Sequence, residues 1–199
     1  MKSMVIEKSI ISLPLITGEY SMIPFCLKTL DGLNDEFKCI VKNLLKGINQ
    51  TGGIAYFTFH GKTLKKGETL RRGGAHTDGN YEPVNMSFGS GGGGGWKVGE
   101  NGAPINTAMH DRQYVNTLGG IIIASNYEAC NGWVGDYDNT PKMGGDCSHI
   151  ELDESFKLKV NQVYYGNNHF IHESLPMSDD VHRVFVRITM PEDHVFNQV

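Results

Sequence analysis

The sequence predicts a mainly β domain, a sandwich or barrel, with a helix on its N-terminal side. Three observations predict it. A single stretch near the start carries apolar residues at helical spacing. Most of the chain beyond it breaks into short runs rich in β-branched and aromatic residues. Gly, Asn and Asp separate those runs, as turns between strands require.

The helix is expected over 31–48. Leu33, Phe37, Ile40, Val41, Leu44 and Leu45 share one side, and Lys38, Lys42 and Asn43 lie mainly on the other. Asp31 or Asn34 can cap its start, and Gly52 and Gly53 lie just past its end. Strand patterns occupy 54–60, 114–126, 148–153, 156–166, 169–174 and 182–190, with a turn at Lys66 and Gly67. No repeat and no composition boundary divides the 199 residues. The organisation expected is therefore one domain, with 1–53 a helical support and 54–190 the β core.

Composition narrows the class. A hydrophobic share of 39% is enough for a packed core, and the net charge of −4 gives no global attraction to nucleic acid or anionic lipid. No apolar run approaches the roughly 18 residues that span a bilayer, so no membrane partner is expected. Glu7 and Lys8 interrupt the apolar start and no small-residue cleavage site succeeds it, so a signal peptide is not expected. Cys26, Cys39, Cys130 and Cys147 form no CxxC and no zinc spacing, which points to reduced thiols and a cytoplasmic protein. Glycine is in excess, 25 residues, and 11 of them fall between Gly73 and Gly102. A run such as Gly91 to Gly95 is no helix or strand interior. Its place within one β domain suggests a mobile loop beside a site.

His76, Thr77 and Asp78 form the one HxD of the chain. In an extended segment residues i and i+2 point to the same side, so imidazole and carboxylate can converge on one ion. One further histidine completes a 2-His-1-carboxylate triad, which leaves other metal positions open. His172 is the favoured third ligand, with His169 its rival; the alternative for His76 and Asp78 is a turn between Gly73-Gly74 and Gly79-Asn80. Downstream, Arg183, Phe185 and Arg187 share one face of a strand, and Val184, Val186 and Ile188 the other. Two arginines facing a sandwich interior need anions. A dicarboxylate co-substrate supplies them; a structural network with Glu173, Asp179 or Asp180 is the alternative.

The order HxD, distal His, then Arg eleven residues on resembles the Fe(II)/2-oxoglutarate-dependent oxygenases. The His172–Arg183 interval, a second arginine four further along, and the segment H-E-S-x-P-x-S are similar to the taurine dioxygenase and phytanoyl-CoA hydroxylase branches. His60 and Arg71 lie equally far apart but precede the HxD, the wrong order. The resemblance spans roughly 70–190 and implies a double-stranded β-helix, or jelly roll. It implies that His76, Asp78 and His172 hold Fe(II). Arg183, with Arg187 as second candidate, would hold 2-oxoglutarate, which is converted to succinate and CO2 as an unidentified substrate is hydroxylated.

Tyr81, Trp96 and Trp133 are candidate substrate contacts. Lys62, Lys65, Lys66, Arg71 and Arg72 read as a solvated hairpin; a phosphate patch for a nucleotide or nucleic acid is the alternative. The substrate is a small molecule or a macromolecule of unspecified class. Two other functions compete: a non-catalytic jelly-roll binding module, and a zinc hydrolase using the same triad. The hydrolase leaves the interior arginines unexplained.

Overall fold

The computed structural model describes residues 1–49, 52–78, 119–142, 145–191, 194 and 196, and the backbone of 96–98 and 104–106. Within them the protein is mainly β, with antiparallel sheets compatible with a β-sandwich. The strands are β1 (Lys2–Ser3), β2 (Val5–Ile10), β3 (Gly18–Cys26), β4 (Ile54–Leu64), β5 (Trp96–Val98), β6 (Pro104–Asn106), β7 (Ile121–Ser125), β8 (Cys130–Trp133), β9 (Gly135–Asp136), β10 (Phe156–Lys157), β11 (Gln162–Gly166), β12 (Ile171–Ser174) and β13 (Val181–Thr189). The helix α1 spans Asp35–Leu44. Among the described residues, no helix is long and apolar enough to cross a membrane.

The large sheet runs β2-β11-β7-β13-β4-β3 and the small one β10-β8-β12. β13 is central, paired antiparallel with β4 on one side and β7 on the other. Its two faces diverge as its period-two pattern requires. Val184, Val186 and Ile188 join Phe57, Phe59, Ile122 and Ala124 in a core sealed by Phe37, Ile40, Val41 and Leu44 of α1. Phe185, Ile121 and Ile123 turn the other way, against Cys130, Leu158 and Phe170. Arg183 and Arg187 therefore face the space between the sheets.

The helix forms as its sequence dictates. Asn34 caps it by accepting the Phe37 amide at 2.8 Å, with Asp35 and Glu36 in its positive first turn. The 1–53 segment is nonetheless more than a helical support, because β1, β2 and β3 precede α1 and β2 and β3 edge the large sheet. The 148–153 stretch is turn and coil, and the 156–166 stretch divides into β10 and β11 around Asn161, whose φ is 59°. β8 lies outside every run expected to be a strand.

Candidate metal centre

His76 and His172 meet by backbone pairing. The His76 amide donates to the His172 carbonyl at 3.0 Å and the His172 amide to the His76 carbonyl at 2.9 Å. This antiparallel bridge attaches the HxD segment to the edge of the small sheet, beside β12. Asp78, two residues on, lies with them: one ligand atom from each of His76, Asp78 and His172 falls within 4.8 Å of the others. All three side chains are buried, so the group can hold a metal ion.

The imidazoles are oriented for that task. Nδ1 of His76 sits 2.7 Å from the Gly74 carbonyl, and Nδ1 of His172 3.1 Å from that of Phe170. A carbonyl only accepts, so each Nδ1 carries the proton and each Nε2 keeps its lone pair for a ligand. Burial, reinforced by His172, pushes the His76 pKa down to about 3, so His76 is neutral at pH 7. Burial works to raise the Asp78 pKa, but the Arg187 guanidinium, His172 and His76 override it and hold the carboxyl well below the usual carboxylate range. Arg187 Nη1 donates to Asp78 Oδ2 at 2.5 Å, and His172 Nε2 lies 3.5 Å from the same oxygen. Two imidazoles and one carboxylate form a donor set suited to a divalent transition metal. His169 lies outside this group, and His172 within it.

The two β13 arginines have different surroundings. Arg187 pairs with Asp78. Arg183, 0% exposed, donates to Ser174 Oγ at 2.9 Å, Cys130 Sγ at 3.0 Å and Ser125 Oγ at 3.4 Å. Burial raises the Cys130 thiol pKa despite Arg183 beside it, so the thiol is neutral at pH 7. Among the described residues, Arg183 thus meets no anion. The acidic partners considered from sequence are engaged elsewhere: Asp180 with Lys65 at 2.6 Å, Glu173 with Asn131 at 2.9 Å, and Asp179 with the Ser178 hydroxyl at 2.7 Å.

Other expectations fare differently. Trp133 pairs with Ile171 and packs with Tyr137, Cys147 and Ile150. It therefore lies on the face of the small sheet opposite His172, the neighbour of Ile171. Tyr81, the side chain of Trp96 and most of the glycine-rich 89–102 stretch lie outside the described residues. Arg71 is not part of a solvated hairpin: it lies partly buried with its Cζ 5.7 Å from the Phe185 ring centroid, and Nη1 is 3.4 Å from His60 Nδ1.

Sequence reasoning set aside the His60–Arg71 pair for its order and passed over Met22. Met22 enters because β3 shifts register between Tyr20 and Ile23, with φ 56° at Met22, and its Sδ reaches 3.6 Å from Arg187 Nη2. His60 had a readable signal, since it alternates with Phe57 and Phe59 along β4. No family model matches this chain, and neither the curated proteins nor the solved structures contain a match to it.

Proposed function

We propose that the protein is an Fe(II)- and 2-oxoglutarate-dependent dioxygenase on a double-stranded β-helix, hydroxylating a substrate with release of succinate and CO2. The observation that carries this reading is a buried His76–Asp78–His172 group in the same interior as a fully buried arginine with only neutral described partners. A desolvated guanidinium is costly without an anion, and a dicarboxylate provides one. The chain also shuttles between sheets as a jelly roll does: β4, β7, β11 and β13 belong to the large sheet, and the His76 bridge, β8, β10 and β12 to the small one.

His76, Asp78 and His172 would hold the iron, which when bound activates dioxygen as 2-oxoglutarate is oxidatively decarboxylated. The chain does the rest. The Gly74 and Phe170 carbonyls fix the two imidazoles, and Arg187 keeps Asp78 ionised and in place. Arg183 would grip the distal carboxylate of 2-oxoglutarate, helped by the Ser174 hydroxyl beside it. Burial of all these groups limits water at the reacting centre. The unbridged thiols Cys26, Cys39, Cys130 and Cys147 suit a reducing, cytoplasmic setting.

The test is binding before turnover. Mn(II) binding by calorimetry is expected to weaken more than about 100-fold in H76A, beyond the usual effect of losing an outer partner. Arg183→Gln is expected to weaken 2-oxoglutarate binding about 10- to 100-fold with metal affinity retained, as loss of a charged hydrogen bond predicts. Succinate formation is then measured against a substrate panel. Activity without 2-oxoglutarate or oxygen would assign the site to a zinc hydrolase, and absence of metal binding to a non-catalytic module.

A further inference from the structure

Among the described residues, three guanidinium groups gather on one strip of the large sheet, near the Asp78 carboxylate. Arg187 holds Asp78, and Arg183 lies fully buried in line with it along β13. Arg71 comes from the loop before the HxD and rests over Phe185, the residue between those two on their face. Phe185 stands opposite His60 in the β4–β13 register, so His60 faces the same space.

Arg71 has a position but no ion-pair partner among the described residues. Burial and the neighbouring Arg71 and Arg187 push the His60 pKa down to about 3, so it is a neutral imidazole at pH 7. Its Nε2 lies 2.8 Å from Ser21 Oγ, and its Nδ1 can accept from Arg71. Burial and Arg187 bring the Arg71 pKa down to about 10, which leaves it cationic at neutral pH. Neither the imidazole nor the Phe185 ring neutralises it, although the ring face favours a cation there. A metal on the triad adds further positive charge to the pocket. The two carboxylates of 2-oxoglutarate would go to the metal and to Arg183, leaving Arg71 over. Arg71 is also partly exposed where Arg183 is closed off, so a second ligand can reach it.

We propose that Arg71, held by His60 and Phe185, is a second anion-binding group of this pocket, and that the substrate carries a carboxylate or phosphate which it grips. The assignment of the substrate rests on the dioxygenase reading; the anion site itself does not. The experiment is calorimetry on Mn(II)-loaded protein saturated with 2-oxoglutarate, titrated with inorganic sulfate and with inorganic phosphate. The wild type is expected to bind one anion. Arg71→Gln is expected to weaken that binding about 10-fold or more while leaving 2-oxoglutarate affinity within about two-fold, as for an independent site. Arg71→Lys keeps the charge without the planar fork and is expected to fall between the two; it replaces R71Q if that variant loses its native circular dichroism. No anion binding by the wild type, or none lost in R71Q, overturns the proposal. So does a loss of 2-oxoglutarate binding in R71Q as large as in R183Q, which would place Arg71 in the co-substrate pocket. If the wild type binds no 2-oxoglutarate, the dioxygenase reading fails. The same titration without 2-oxoglutarate then decides the anion site: Arg71-dependent binding upholds it, and its absence removes it.

Discussion

The Asp78–Arg187 pair governs the centre residue by residue. Both side chains are nearly inaccessible, so removing one partner strands the other's charge in a poorly solvated place. Arg187→Met is expected to cost about 3–5 kcal/mol in urea denaturation. The loss should shrink when Mn(II) is added, because an ion on Asp78 replaces the missing positive charge and stabilises by binding. A loss unchanged by metal would mean that Asp78 is a structural partner alone. For the same reason H76A is a cleaner test of metal binding than any change at Asp78. Sequence spacing pointed to His76, Asp78, His172 and Arg183, since three of them lie in local patterns with a fixed side-chain direction. It could not show that Arg187 would take Asp78, nor that Arg71 and His60 would meet, because those contacts depend on where the chain crosses.

At the level of elements, α1 and β4 support the centre from behind. Phe37 lies 5.1 Å, ring to ring, from both Tyr20 and Phe57, and 5.5 Å from Phe59, filling the space between helix and sheet. Phe37→Ala is expected to destabilise by about 3–5 kcal/mol, read by chemical denaturation. Gly61 is constrained differently: a Cβ there would stand 1.8 Å from the Ile16 carbonyl oxygen. Gly61→Ala is therefore expected to force the 11–17 connection off β4 and lower the thermal midpoint, whereas Gly67→Ala meets no atom within 4 Å and is disfavoured only by its φ of 86°. The helix and β13 were legible because each shows an uninterrupted period over its whole length. β2 was not, since none of its residues is fully buried and Glu7 and Lys8 break its apolar pattern. β8 was hidden by Asn131 and Gly132, whose place in the small sheet is set by β10 and β12.

For the whole molecule, burying neutral histidines ties stability to pH. The pKa values of His60 and His76 are about 3 in the fold, against 6.5 for the unperturbed group. Between those values the unfolded chain binds more protons than the folded one, so stability is full above about pH 6.5 and falls as the pH drops towards 3. The urea midpoint is expected to decline steadily across that window, and His60→Gln to flatten the decline. An unchanged slope in H60Q would place the proton uptake elsewhere. By itself the sequence determined a mainly β domain, one helix with two candidate caps, the shared face of Arg183 and Arg187, and a candidate triad. Those come from periodicities of 2 and 3.6 acting within a few residues. The tertiary structure alone decided that His76 bridges to His172, that Trp133 turns away, that Arg183 has only neutral described partners, and that Arg71 lies over Phe185 beside His60. These depend on which strands lie side by side, and strand order is set by packing across the whole core rather than by any local pattern.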